Sequence, residues 1–459
     1  MAPNVPSVAP EARVYALEAE LARVSEELAH VQDGSSQRVA ELEREVHTLR
    51  QSVQQLTMMY QGATKWKRAL VLLPFAPLDW VVGFLVVTAE MAGRAARIIA
   101  PRRPPDFPPI NKQCSFVVVS WNGKDLLAES LPRLLAAIRY SGGNHEVIVV
   151  DNGSLDGTRD FVEREFPSVR VIRSEQNLFF GGGNRLGIQA ATRDIIVFLN
   201  NDMLVEEGFL PPLLEPFNDP HVFGVASQVF LPEGKRREET GKTRVRFNGC
   251  DFDWSHDPIS PADEAQRYVS AFWLHGGAAA VDRRKFLWLG GFDPLYDPFY
   301  VEDADISYRA WKVGWNCLLA VSSHVLHKHR SSTRLFGEGF IRVIVRRNQH
   351  LFFWKNVRDF KLLAKHFLFA PLRRVRHAGV VGMGIRRELE SYAAALRRLP
   401  ALVRARIALA RSTVRTDAEI LSLSMAPPLL RVDESLAKPR APRQSGQPAN
   451  SLESRPQAQ

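Results

Sequence analysis

The chain has 459 residues, enough for one large domain with appendages or for two to three domains. Apolar residues make up 45% and charged residues 24%, which excludes a chain disordered throughout; the three scattered cysteines, Cys114, Cys250 and Cys317, exclude a disulfide scaffold, form no CxxC for a zinc ribbon and suit a reducing compartment. The net charge of +10 is a property of the tail, since from Val357 onward 19 Lys and Arg face 8 Asp and Glu and the preceding residues are close to neutral.

The first sixty residues hold no apolar core of a secretory signal. They show heptad spacing instead, first at Val14, Leu17, Leu21, Val24, Leu28 and Val31, then at Val39, Leu42, Val46, Leu49, Val53 and Leu56. Asp33-Gly34-Ser35-Ser36 shifts the frame between the two runs as a stutter would. Residues 11–60 therefore read as a coiled coil, an arm for homo-oligomerisation or partner binding; a helical hairpin folded at Gly34 is the alternative. Ala69 to Thr88 is apolar and long enough to span a membrane. Pro74, Pro77 and Asp79 point to an interfacial or re-entrant segment, with a buried docking helix as the plainer alternative. Residues 65–100 are thus expected to be membrane-associated, followed by a Pro-rich linker.

From Ser115 the pattern becomes short β-branched runs alternating with helical periodicity. Strands are expected at Ser115–Ser120, Glu146–Val150, Val169–Ile172 and Ile195–Leu199, with helices at Lys124–Arg139, Thr158–Phe166 and Asn184–Ala191. The alternation predicts an α/β domain over 112–356 with a Rossmann-like, mainly parallel sheet and ligands at the carboxyl ends of its strands. The polar clusters fall there. Asp151-Asn-Gly-Ser-Leu-Asp156-Gly-Thr158 follows the second strand, where a carboxylate can accept from a base N–H and Asp156 or Thr158 can cap the next helix. Leu199-Asn-Asn-Asp202 ends the fourth, offering one carboxylate to a hard divalent cation. Each of these is also an ordinary turn when taken alone. The Gly-rich run Asn177–Gly187 fits neither the dinucleotide fingerprint nor a P-loop. Glu302-Asp303-Ala-Asp305 precedes a helical stretch, Ile306–Trp311, so Asp303 and Asp305 are expected at a helix N-terminus whose dipole keeps a general base ionised. His324, His327 and His329 follow a strand-like Cys317–Val321 without the second ligand pair of a zinc site.

In order, Ser120-Trp121-Asn122, the Asp151 segment, Asn177–Gly187, Leu199-Asn-Asn-Asp202, His275-Gly-Gly, Gly-Gly-Phe-Asp293, Glu302-Asp303-x-Asp305 and His327 resemble the family 2 glycosyltransferases of the GT-A fold, in the branch similar to rhamnosyltransferases. The match spans roughly Ser115 to Ser332. The resemblance implies roles by position. Asp151 would read the nucleotide base, with Ser120 and Asn122 lining that pocket and Asn184 and Asn201 beside the donor phosphates. Asp202, the last residue of an Asn-Asn-Asp element where the family has DxD, and His327 would hold Mn2+ or Mg2+ against the diphosphate. Asp303 would be the catalytic base and Glu302 its neighbour, while His324 and His329 stay structural. Trp273, Trp311 and Trp315 are candidates to stack on a sugar, or core. The implied reaction is an inverting displacement from a UDP- or dTDP-sugar onto a glycan or lipid-linked acceptor in cell-surface polysaccharide biosynthesis. A catalytically degenerate module acting as a membrane-tethered scaffold or glycan-binding protein is the alternative. A nucleotidyltransferase would need an N-terminal Gly-rich triphosphate loop that the sequence lacks.

The tail mixes Arg with aliphatics. Arg373, Arg374 and Arg376 follow a Phe- and Leu-rich run, and Ala393–Ala410 carries Arg397, Arg398, Arg404 and Arg406. Residues 357–425 are expected to form basic amphipathic helices on anionic lipid, with no nucleic-acid partner. Residues 437–459 read as a disordered end. With the family resemblance, these features lead us to expect the chain on the cytoplasmic face of the inner (plasma) membrane, peripheral or with one hydrophobic segment.

Overall fold

A computed structural model of the chain describes residues 10–30, 45, 49, 68–231, 241–328, 336–379 and 381–428. Of the heptad region, α1 (Pro10–His30) is helical, with Arg23 and Glu27 paired across one turn. The second heptad run apart from Leu49, the Gly34 junction, His329 and the 437–459 end lie outside the described residues. A short 3-10 segment, Leu70–Phe75, runs into the long helix α2 (Ala76–Ile99).

The sheet domain opens with β1 (Cys114–Ser120), α3 (Lys124–Ser141), β2 (Glu146–Asp151), α4 (Thr158–Glu165), β3 (Arg170–Arg173), α5 (Phe179–Ala190) and β4 (Ile195–Asn200). It continues through β5 (Met203–Val205), β6 (Val222–Phe230), β7 (Lys242–Phe247), β8 (Phe252–Asp257), β9 (Tyr268–Ser270), β10 (Ala278–Asp282), α6 (Glu302–Lys312) and β11 (Asn316–His327). The strand order is β3-β2-β1-β4-β10-β6-β11-β5, with β9 also pairing β11 and β7–β8 forming a separate ribbon. β3, β2, β1 and β4 run parallel, as do β6 and β11, while β10 runs antiparallel between β4 and β6. The expected α/β architecture is therefore present.

The strands read as unbroken apolar runs because both faces are covered. Along β1, Phe116 and Val118 pack with Leu127, Leu131 and Leu134 of α3, while Val117 joins Ile188 of α5 on the opposite face. Helix α5 starts five residues before the expected Asn184, so the Gly-rich run is not a loop. Its glycines let the helix lie close against the sheet: a Cβ on Gly183 would stand 2.6 Å from Val119.

The tail folds into α7 (Glu338–Asn356), α8 (Phe360–Leu368), α9 (Ala370–Gly379), α10 (Ile385–Leu396), α11 (Leu399–Ala410) and α12 (Asp417–Met425). One apolar cluster runs from Val82 and Val86 of α2 through Trp311 of α6 and Leu351 and Trp354 of α7 to Leu363, Tyr392, Leu402 and Ile420. The expected boundary at 356/357 is thus not a boundary of the core. The expected basic face turned to lipid is also corrected for the central arginines. Arg373, Arg374 and Arg406 are buried. Arg374 meets Asp79 of α2 at 2.5 Å, and Glu90 of α2 accepts from Arg94 (2.9 Å), Arg358 (2.7 Å) and Arg406 (2.9 Å). These carboxylates come from some 270 to 320 residues earlier in the chain, so no helical wheel of the tail alone could reveal them. Buried charges persist only when paired in this way. α2 and α11 also approach closely, a Cβ on Gly93 falling 2.6 Å from that of Ala410.

Among the described residues the other face of α2 is left uncovered. Trp80, Val81, Phe84, Leu85, Met91, Ile98 and Ile99 are exposed, Phe84 at 70% and Ile98 at 84%. By length and composition, Leu70–Ile99 could cross a membrane, and 28% of its most apolar window is buried within the protein.

Candidate active site

The parallel register sets Ser120 of β1 opposite Asp151 of β2 and Val119 opposite Asn200 of β4, which brings three polar strand ends to one edge of the sheet. β10 enters antiparallel, and the Asn200 N–H donates to the Gly277 carbonyl (2.9 Å), so His275-Gly276-Gly277 arrives at the same edge. β11 pairs with β5 so that His327 stands opposite Met203, and His327 Nε2 lies 3.3 Å from Asp202 Oδ2. The first turn of α6 supplies Glu302 and Asp303. Asp303 Oδ2 accepts from the Gly276 N–H (3.2 Å) and Oδ1 from the Ala304 N–H (2.8 Å).

These groups surround a cavity of about 370 Å³, and five of the expected site residues line it: Asn201, Asp202, Glu302, Asp303 and His327. The other four stand behind its wall. Ser120 Oγ accepts from Asn201 Nδ2 (2.9 Å). Asn122 donates its N–H to Ser154 Oγ (2.9 Å) and accepts from the Leu155 N–H (2.8 Å), while Asp151 accepts from the Ser154 N–H (3.0 Å). Those bonds fix the 152–156 turn. Asn184 donates to the Phe180 carbonyl (3.0 Å) inside α5. Asp156 accepts from the Thr158 and Lys124 N–H groups (3.0 Å each), satisfying the first turns of both α4 and α3.

Sequence reasoning missed the aromatic wall. Trp121, Phe179, Phe299 and Phe336 line the cavity, with Trp121 stacked on Phe336 and Phe179 edge-on to Phe299. Trp273, Trp311 and Trp315 are buried core instead, because long-range packing and not residue type decides which aromatics face the cleft. Asn152 was also missed. Its side chain donates to Asn177 Oδ1 (3.0 Å) and to the Phe179 carbonyl (3.1 Å) and accepts from the Leu178 N–H (2.9 Å), locking the entry to α5. Phe179, Tyr300 and Val301 adopt positive φ of 56°, 71° and 75°. Such strain gathers at functional sites, and for a β-branched residue it is a true outlier.

The three carboxylates of the Glu302 segment are separated by environment. Asp305 is fully buried against Lys355 (2.8 Å) and Arg309 (2.8 Å) and accepts from Tyr296 Oη and Asn356 Nδ2. Despite burial, the two cations hold its pKa at about 2. Asp305 therefore ties α6 to α7. Glu302 goes the other way. Burial, then the adjacent Asp303 charge, pushes its carboxyl well above the usual range, and its Oε2 has no hydrogen-bond partner among the described residues. Burial raises Asp303 as well, opposed by the N–H bonds from Ala304 and Gly276. Asp303 and Asp305 stand in the first turn of α6, as expected, and at Asp303 the backbone N–H bonds of that turn work against the desolvation.

Asp202 and His327, a carboxylate and an imidazole in contact on the cavity wall, fit a divalent cation that takes its remaining ligands from a diphosphate and water. Among the described residues no group of three or more His, Cys, Asp or Glu converges on a metal position. His324 lies apart, 3.1 Å from Glu206, consistent with a structural role.

Residues 115–287 match the family model of glycosyl transferase family 2. The chain carries a family 2 glycosyltransferase domain. The polypeptide N-acetylgalactosaminyltransferase 11 of Xenopus tropicalis is 30% identical over 200 residues, covering 40% of this chain and 33% of that protein. The N-acetylglucosaminyl-diphospho-decaprenol L-rhamnosyltransferase of Mycobacterium tuberculosis is 27% identical over 236 residues, 43% of this chain and 76% of that one. The chain thus spans about a third of the length of the first of these relatives. Among solved structures, GalNAc-T7 with UDP, GalNAc and Mn2+ aligns at 18% identity with a TM-score of 0.44, over 59% of this chain and 55% of that one. The family match to the glycosyltransferase domain stops at residue 287, ahead of Glu302, Asp303 and His327, so their place in the site rests on geometry.

Proposed function

We propose that the chain is an inverting, metal-dependent glycosyltransferase of GT-A type that moves a sugar from a nucleotide sugar to a hydroxyl of a glycan or lipid-linked acceptor. One observation carries this reading: a single cavity brings the Asp303 carboxyl, raised by burial, together with the Asp202–His327 pair. In the reaction Asp303 takes the acceptor hydroxyl proton while that oxygen forms its bond to the anomeric carbon. The bond from this carbon to the diphosphate oxygen breaks, and the nucleoside diphosphate leaves with the electron pair. A raised carboxyl is a better proton acceptor than an ordinary Asp. A divalent cation held at Asp202 and His327 would supply charge neutralisation for the departing diphosphate. The aromatic wall offers apolar faces for a sugar or lipid-linked acceptor.

The same proposal places the chain at a membrane surface, on the cytoplasmic face, in the assembly of a surface polysaccharide. What supports the membrane seating is the face of α2 left uncovered among the described residues and, beside it, exposed Leu368, Phe369 and Leu372. Large contiguous apolar patches mark interaction surfaces. The pinning of Asp79 and Glu90 favours a helix lying along the surface over one crossing it.

Replacing Asp303 with Asn tests the chemistry. Transfer is expected to fall by about 100-fold to 10,000-fold while nucleotide-sugar binding stays unchanged. Turnover of this variant at the wild-type rate would remove Asp303 from the mechanism.

A further inference from the structure

A second cavity, of about 860 Å³, opens at the end of α2, between the 101–104 linker, the start of α8 and the 410–417 segment. No sequence motif pointed to it. Its lining is rich in Lys and Arg, and the three carboxylates among the lining residues are already engaged. Glu90 is held by three guanidinium groups, and Asp417 by Lys312, Tyr308 and two backbone N–H groups. Asp359 accepts from the first N–H groups of α8. Of the remaining cations, Arg102, Arg411 and Arg415 donate to the carbonyls of Trp288, Ala100 and Trp315. Arg97, Arg103 and Lys361 are exposed, and among the described residues their side chains have no ion-pair or hydrogen-bond partner. Arg358, 6% exposed on the cleft wall, has an Nε with no partner among the described residues. A buried donor left unmade is costly and asks for an acceptor. Phosphate oxygens suit several guanidinium donors at once.

The cleft is also amphipathic. Ile98 and Phe360 form part of its lining and belong to the exposed apolar face of α2 and α8. The surroundings carry one sign of charge: between residues 68 and 99 the acidic side chains are the buried Asp79 and Glu90, and between 360 and 379 there are none. A free anion would use the cations and leave this apolar wall empty.

We propose that this cleft binds the phosphate headgroup of an anionic lipid whose chain lies along the exposed face of α2. The inference rests on the membrane seating proposed above and is independent of the sugar-transfer reading. Seated this way, the headgroup meets Arg415 on the cleft wall, and the buried Lys312 behind that wall, paired with Asp417, is the last residue of the helix that begins with Glu302 and Asp303.

The test is vesicle co-sedimentation of the full chain, with phosphatidylcholine alone and with phosphatidylcholine mixed with phosphatidylglycerol, and with inorganic pyrophosphate as the soluble probe. The triple variant R97Q/R103Q/K361Q changes only exposed, unpaired side chains and is expected to keep the wild-type Tm. Wild type is expected to prefer the anionic vesicles, and the triple variant to lose at least about tenfold of that affinity. W80S/F84S is expected to weaken binding to both vesicle types. Equal binding of wild type and triple variant to anionic vesicles overturns the cleft assignment. No binding of wild type to either vesicle overturns the seating itself. Stabilisation by pyrophosphate that is lost in the triple variant, with vesicle binding insensitive to W80S/F84S, assigns the site to a soluble phosphate and overturns the lipid.

Discussion

Glu302 and Asp303 are neighbours in one helical turn, yet they are not equivalent. Glu302 is buried without a hydrogen-bond partner for Oε2 and stays protonated to higher pH, whereas Asp303 receives two backbone N–H bonds that favour its charged form. Asp303 is therefore the group that ionises first, which suits the role of base in the proposed reaction. Since its pKa is raised above the ordinary Asp value, transfer should be lost as pH falls through that raised value, with the acid limb of kcat/KM above about pH 4. Glu302→Gln keeps the neutral shape of a protonated Glu and removes the coupled titration. It is expected to leave the plateau rate within a few-fold and the acid limb in place, because Glu302 is already neutral where Asp303 ionises. A collapse of the plateau would assign the base to Glu302.

At the scale of elements, α2 is held by two buried charge clusters, Asp79–Arg374 and Glu90 with Arg94, Arg358 and Arg406. Removing one partner leaves an uncompensated buried charge. Arg374→Met is expected to destabilise the chain by about 3–5 kcal/mol, and D79L/R374M to recover most of that loss, both read from urea unfolding. A single-variant cost below about 1 kcal/mol would mean that the pair does not pin the helix. The strands and their polar ends were legible because β-branched runs and the Asp151 and Asp202 segments are local signals. The helical start at Phe179 was not, because close packing of Gly183 on Val119 is a tertiary fact. The inward turn of Arg373, Arg374 and Arg406 was hidden for the same reason: helical periodicity defines faces and leaves open which partner, far away in sequence, will cover them.

At the scale of the whole molecule, the excess charge of the tail does not form one lipid-facing sheet. Part of it is spent inside, binding α2 to the domain, and part surrounds the cleft at the end of α2. Of the expected site residues, Asn201, Asp202, Glu302, Asp303 and His327 meet in one cavity because β4 and β11 end, and β5, β10 and α6 begin, at one edge of the sheet. Ser120, Asn122, Asp151 and Asn184 support that edge from behind. The aromatic wall carried no sequence signal, since Trp121, Phe299 and Phe336 are brought together from three distant segments. Sugar transfer with inversion is the central claim, and proton NMR of the first-formed product reaches it most directly. The full chain would be incubated with uridine-, thymidine- and guanosine-diphosphate sugars, Mn2+ or Mg2+, and water and simple glycosides as acceptors. The expected result is transfer from one donor class, with the anomeric configuration opposite to that of the donor. A product that keeps the donor configuration, or neither transfer nor hydrolysis with any donor, would contradict it.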